Sequence, residues 1–575
     1  MTTTAVPPTK RQTAPRRARW SVGTVVQLGL LVLIVVLPCL FVVFSALSAT
    51  APRPGELVPD LTLDNFGVLA TGSVLKGMGN SAIIGGGATV VAMIVGCGLA
   101  FLSARTDVPG RSFIYLAGVA PMFLPALVGA LAWALLGSPA SGLLNVVLRA
   151  VGLPGFVDVY GFGGLIFVLG LYYAPYPFLL VHSALSLMDP NLEDAARLHG
   201  ASMRRVLTTT TFPLVVPAVT GSAVLVFALT VENFAVAQVL GVPARIDTLP
   251  TVIYRLMNAA PARAGEAAVI AMVLTVILMI AVALQRNATA RRSFTTVSGK
   301  GRRPGVVRLG RWRVPAAAGA AVYFLLAVAL PLGALGISAL RTSPYLSDLA
   351  QLGDENALSL YPLWQTATSA DFLSPLLNSL VVGLLAAGIG TLLCFALAYT
   401  AHRTTLRGRA LLEYLAMLPL AVPAIVLGLG LLWTWLTLPV PVYGTLALLV
   451  IACIAVFLPQ GYRGVSASIL ALDRDLEDSA VMLGARRARA VLAVTAPLLR
   501  VGLSSTFLLL LMLAMRELTA VLFLFTTDTR LLSIAIFDAY DNGSLQAAAE
   551  ISLLYTVVIG FLAVVARRVG NTEES

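Results

Sequence analysis

Windows of roughly twenty apolar residues, the length a helix needs to cross a bilayer, recur twelve times along the 575-residue chain. They predict spans at 24–47, 80–103, 113–136, 163–186, 215–239 and 266–285, then at 314–339, 379–401, 410–436, 443–464, 500–525 and 547–567. The expected fold is therefore all-α: a polytopic membrane protein of about twelve transmembrane helices. Composition supports this, because only 11% of residues are charged and mean hydropathy is +0.90, whereas soluble domains carry about a quarter charged residues. The formal net charge of +12 could suggest nucleic acid, but the basic residues gather at the ends of apolar segments, so no nucleic-acid partner is expected. Cys39, Cys97, Cys394 and Cys453 all lie inside apolar runs and read as small hydrophobes. With the three histidines scattered, the sequence shows no metal site.

Charge sets the expected orientation. The first nineteen residues hold Lys10, Arg11, Arg16, Arg17 and Arg19 and no acid, which places the N-terminus on the cytoplasmic side. The apolar run that follows is too long for a signal-peptide core, so a retained span is expected. Six spans later, 286–313 carries nine Lys/Arg and again no acid. Six more spans end at Arg567 and Arg568. The outer loop 341–378 has the opposite balance, with Asp348, Asp354, Glu355 and Asp371 against Arg341. The chain accordingly divides into a basic cytoplasmic tail (1–23), a first half (24–285), a basic cytoplasmic linker (286–313), a second half (314–568) and a cytoplasmic tail (569–575).

The halves are related. Residues 189–214 align without gaps on 473–498, an offset of 284, with eleven identities over 26 positions; chance gives roughly two. Matched pairs include Glu193/Glu477, Asp194/Asp478, Gly200/Gly484, Ala201/Ala485 and Pro213/Pro497. A second anchor, Asn80-Ser81 against Asn378-Ser379, opens the second span of each half at an offset of 298.

Each repeated loop reads as a rigid knob. Asp189 suits a helix cap with Pro190 in the first turn, where a missing N–H costs nothing. Glu193 and Asp194 suit the positive end of the helix dipole. Gly200 falls where a left-handed terminator is needed. Ala195, Ala196 and Ala201 leave the knob smooth enough for close contact, and Pro213 leads into span five.

Asp194-Ala195-Ala196 with Gly200-Ala201 and Pro213, repeated as Asp478-Ser479-Ala480 with Gly484-Ala485 and Pro497, resembles the "EAA" loop of bacterial ABC-importer permeases. Both copies carry Asp where that family commonly has Glu, and the second has Ser for the first Ala. The resemblance implies a type I ABC importer fold in the bacterial inner membrane. It implies loops that dock two copies of a separate ATPase, and an extracytoplasmic solute-binding protein as a further partner. The chain has no Walker-A pattern, so ATP is expected to be used by the partner subunit, with no cofactor and no catalytic residue in this chain.

Charges within spans are costly and usually functional. The windows put Glu232-Asn233 in span five and Arg516-Glu517 in span eleven, and the offset of 284 maps Glu232 onto Arg516. These four residues form the expected translocation path, with Glu232 and Arg516 expected to meet at a gate as an ion pair or, with Glu517, as a charged ring. Glu266 and Glu550 share the offset and are expected at helix starts. Pro175 and Pro459 share it too and are expected to kink spans four and ten.

Arg516-Glu-Leu-Thr-Ala-Val-Leu-Phe-Leu524 and Asp538-Ala-Tyr-Asp-Asn-Gly-Ser-Leu-Gln-Ala-Ala-Ala549 resemble segments of fused ferric-iron permeases and their thiamine-transporting relatives. Iron is the substrate this implies, and direction, import, rests on the same resemblance. Thiamine, 2-aminoethylphosphonate and polyamines remain alternatives. A twelve-span secondary transporter is the alternative of a different class, although that type would repeat its motif after the second span rather than the fourth. A non-transporting scaffold is a third reading.

Overall fold

The computed structural model describes residues 21–50, 60–188, 193, 195, 196, 198–290, 306–343, 348, 350, 351 and 357–572. Within them, nine helices are long and apolar enough to cross a membrane, or twelve if each sharply bent pair counts as one span. All twelve apolar windows coincide with one of these elements.

The bent pairs correct three windows. Span three is Arg111–Phe123 and Ala126–Gly137, meeting at 100°, and span nine is Arg409–Ala421 and Ala424–Thr437, meeting at 112°. Pro125 and Pro423 stand at the breaks, and the residues before them, Leu124 and Val422, are extended. Proline disfavours helical backbone at the preceding position, and at these two sites the chain turns. Span eleven bends by 72° between Arg487–Leu498 and Arg500–Met515, while span five, Met203–Val231, is a single element.

The halves interlock. Span one, Val22–Ala46, packs on the second limb of broken span nine, and span seven, Gly310–Leu340, packs on the second limb of broken span three. Each half therefore covers the other half's broken span with its own first span. Gly430 permits the closest approach, since a Cβ there would lie 2.3 Å from the Pro38 carbonyl oxygen. Gly430→Ala is expected to force span one aside and lower stability by about 1–3 kcal/mol, read as a drop in thermal midpoint. Gly388→Ala is the control, because its Cβ would meet nothing nearer than a Phe507 atom at 4.0 Å.

The repeated Asn-Ser anchor acts as a clamp on the short helix that follows span five or span eleven. Asn80 donates to the Asp247 carbonyl (2.8 Å) and Ser81 accepts from the Leu249 N–H (2.9 Å). Asn378 donates to the Asp528 and Arg530 carbonyls (3.0 Å each), and Ser379 accepts from the Leu532 N–H (2.8 Å). Leu249 and Leu532 begin the helices Leu249–Met257 and Leu532–Asp541. Both helices lead with N–H groups that need partners.

Pro175 interrupts span four at Ala174, between Phe162–Tyr173 and Pro175–Ser186. Its ring removes the donor for the Leu171 carbonyl, and the Tyr323 hydroxyl of span seven donates there instead (3.1 Å). Pro459 lies inside the continuous helix Leu446–Ala471. Glu266 sits in the first turn of Ala264–Ala290 as expected. Glu550 does not start its helix: it lies beyond the first turn of Leu545–Thr572, buried, and accepts a hydrogen bond from Thr366.

Candidate functional site: paired loops and the path between the halves

The two loops close with the same geometry. In the first, Glu193, Ala195, Ala196 and Leu198 are helical, and Gly200 has φ +79°. In the second, the helix Asp475–Met482 ends before Gly484 at φ +94°. The Ala201 N–H donates to the Ala196 carbonyl and the Ala485 N–H to the Ala480 carbonyl, each at 3.1 Å. Bonds of this span across a left-handed glycine are a Schellman terminator. The terminator leaves Leu198 (89% exposed), Met482 (82%) and Leu483 (90%) bare beside Ala195, Asp478 and Ser479, which are also exposed. Asp473, the repeat partner of Asp189, accepts the Asp475 N–H at 3.1 Å from one residue before the N-cap, Arg474, which makes no side-chain cap. Asp189, Pro190 and Asp194 lie outside the described residues.

The repeated glutamates face inward and tie each loop to the bundle. Glu193 is 1% exposed, forms an ion pair with the fully buried Arg105 at the end of span two, and accepts from Thr211 at 2.7 Å. Glu477 is likewise buried and accepts from Tyr399 (2.5 Å) and Thr495 (3.0 Å), with Arg487 at 3.4 Å. Sequence reasoning placed these acids in a helix dipole; it missed the Thr211/Thr495 identity as their partner, although both lie inside the repeat. Each threonine closes a π-helical stretch, Leu207–Thr211 or Val491–Thr495, just before Pro213 or Pro497. A π-turn absorbs the hydrogen bond that the following proline cannot make. Loop and span entry are thus built as one piece in both halves.

The path residues require a correction. Glu232 and Arg516 are not inside spans; they cap the helices that end at Val231 and Met515. The apolar windows overran because the segments that follow, a short helical stretch after Glu232 and a run of turns after Arg516, are apolar and largely buried, not solvent loops. Nor do the two pair with each other: no ion pair joins them among the described residues. Arg516 reaches into the first half, donating to the Met122 carbonyl (2.5 Å), the Leu124 carbonyl (3.3 Å) and the Tyr172 hydroxyl (2.6 Å). Glu232 faces the second half, toward the backbone N–H of Ala424. Met122 and Leu124 flank the break in span three, and Ala424 begins the limb after the break in span nine. The opposite charges now have a reason. A broken helix exposes carbonyls on one side of the gap and N–H groups on the other; the arginine takes the first kind and the glutamate meets the second.

Asn233 and Glu517 close their own turns, accepting the N–H three residues on, Val236 at 2.9 Å and Ala520 at 2.7 Å. Asn233 also donates to the Tyr173 hydroxyl at 2.8 Å. A cavity of about 170 Å³ opens between the halves here, lined by Tyr172, Tyr173, Tyr176 and Asn233 from the first and by Arg516, Glu517 and Tyr555 from the second. Polar groups at membrane depth are tolerated where they line such a space. Glu232 stands beside this lining rather than in it. Among the described residues no group of three or more His, Cys, Asp or Glu could hold a metal ion.

Two interlocked six-span halves, a polar cavity between them and a matched pair of loops define a two-fold membrane permease. The chain belongs to the family described as binding-protein-dependent transport system inner membrane component, which matches residues 69–293 and 390–571, one stretch in each half. It is the permease of an ABC importer, with both membrane units fused in one chain. The ferric transport system permease protein FbpB of Actinobacillus pleuropneumoniae is 27% identical over 518 residues, covering 88% of this chain and 73% of that one. A Salmonella typhimurium permease named for 2-aminoethylphosphonate transport is 29% identical over 201 residues, 34% of this chain and 76% of that one. A crystal structure of a bacterial ABC transporter that imports alginate overlays 44% of this chain and 89% of its own, at 18% identity and a TM-score of 0.39.

Proposed function

We propose that the chain carries ferric iron across the bacterial inner membrane, accepting it from an extracytoplasmic binding protein and moving it by alternating access driven by two copies of a separate ATPase. Both termini are cytoplasmic in this reading, so that the two loops meet the ATPases there. One observation carries it: two loops at matched places in the chain end in the same left-handed glycine, and each is tied by a buried glutamate to the spans behind it. A knob fastened this way transmits a push instead of bending. Closure of the ATPase pair then drives the ends of spans two and five, and of their second-half counterparts, as units. Farther in, the contacts of Arg516 and Glu232 with the broken spans must exchange as the halves rock, opening the cavity to one side and then the other.

Iron rests on the named function of the relative that aligns over most of this chain. The same machinery working on 2-aminoethylphosphonate is the second reading, favoured by Arg516 and Glu517 side by side on the cavity wall, a base for the phosphonate and an acid for the amine. Uptake by cells expressing the chain with its ATPase and binding protein separates the cases. Labelled Fe(III) is expected to accumulate and to stop when ATP is depleted. Accumulation of labelled thiamine or 2-aminoethylphosphonate in place of iron overturns the substrate, and uptake that persists without ATP overturns the class in favour of a secondary transporter.

A further inference from the structure

We propose that residues 306–313, the last stretch of the segment joining the halves, act as a positioning clamp on the first coupling loop, making the two loops unequal; this rests on the loops being the coupling elements. The Val307 N–H donates to the Arg105 carbonyl (2.7 Å), and the Asp107 N–H donates back to the Val307 carbonyl (3.2 Å). The Leu309 N–H donates to the Asp107 carboxylate at 2.9 Å, and Arg313 donates to the Asp107 carbonyl at 3.0 Å and pairs with its carboxylate at 3.4 Å. The joining segment is thereby laid along residues 105–107 as a short piece of parallel ladder. Arg105 is the residue whose guanidinium holds Glu193. Its backbone is fixed by the linker and its side chain fixes the loop, so the linker sets where the first knob stands.

The second half is wired differently. Arg403, 298 residues after Arg105, gives its guanidinium to the Ile469 and Leu472 carbonyls (2.8 and 2.5 Å). Its own carbonyl accepts from Arg487 at 3.4 Å, and Arg487 belongs to the second loop itself and is 59% exposed. The first loop is thus held, through Arg105, by the chain that fuses the halves, whereas the second is held by Tyr399 of span eight, by Thr495 and by Arg487, a solvent-exposed residue of its own.

Amide hydrogen exchange on the full-length chain in lipid nanodiscs, without any ATPase, tests this directly. The amides to follow are His199 and Ala201, bonded to Ala195 and Ala196, against Leu483 and Ala485, bonded to Ser479 and Ala480. Asp107→Ala is expected to speed exchange at His199 and Ala201 about five-fold, the loss of one or two modest hydrogen bonds, and to leave Leu483 and Ala485 unchanged. Arg313→Ala should give a smaller rise at the same two amides, and Asp107→Asn, which keeps an acceptor for Leu309, should restore most of the protection. An equal rise in both loops, or no rise in the first, overturns the clamp. Failure of the loops to bind an ATPase would instead sink the coupling reading, and this experiment does not depend on it.

Discussion

Glu193→Ala is expected to destabilise the chain by about 3–5 kcal/mol, because it strands the fully buried Arg105 guanidinium. Glu477→Ala should lose only about 1–2 kcal/mol, since its partners are two neutral hydroxyls and an arginine that solvent already reaches. The contrast is the informative part: two residues identical in the repeat, and identical in their threonine partner, differ because the charge that answers them is buried in one half and wet in the other. Thermal unfolding of the two purified variants measures it. Replacing the whole pair, Arg105→Leu with Glu193→Leu, should recover most of the loss, as replacing buried ion pairs with apolar residues commonly does. A Glu193→Ala protein no less stable than Glu477→Ala would contradict the assignment.

Arg516→Met is expected to leave a folded protein that no longer couples transport to ATP. The arginine donates to the Met122 carbonyl at the break in span three and supplies two further bonds across the halves. Truncating one member of a buried charged contact costs about 2–5 kcal/mol, which shifts the balance between conformations by roughly 30-fold or more. Uptake should fall by about that factor while ATP hydrolysis by the assembled complex persists. Arg516→Lys should rescue only in part, since an ammonium cannot reproduce the planar fork that reaches two carbonyls and a hydroxyl. Charge reversal between Glu232 and Arg516 should not restore transport: each faces a backbone group of fixed polarity in the opposite half, not the other side chain. Recovery in the reversed double variant would revive direct pairing.

Much of this architecture is written in local chemistry and was legible. Apolar length located every span, and the ungapped repeat located both loops together with their left-handed glycines. The sequence reading failed where geometry depends on a partner distant in the chain. Hydropathy windows pass straight through the breaks in spans three and nine because the flanking residues stay apolar on both sides. The signal was nonetheless present: Pro121 and Pro125 recur as Pro419 and Pro423 at the same offset as the Asn-Ser anchor. Glu232 and Arg516 looked embedded because the residues after them are as apolar as a span, being largely buried, in a short helical stretch after Glu232 and in turns after Arg516, rather than exposed. Their pseudo-symmetry suggested a mutual pair. Symmetry instead sends each to the other half's broken helix, a destination visible only once the two halves are packed. Glu550 was misread for a simpler reason, since its helix begins several residues earlier than the repeat implied.

The most direct test of the account is the ATPase stoichiometry of the purified complex by native mass spectrometry. The exposed tips Leu198 and Leu483 are the docking surface in this account, and neither contributes to the buried contacts that hold the loops. The wild-type chain is predicted to carry two ATPase copies, and a chain with Leu198→Asp and Leu483→Asp none, at unchanged thermal stability. A doubly substituted chain that still carries two copies would contradict the central claim.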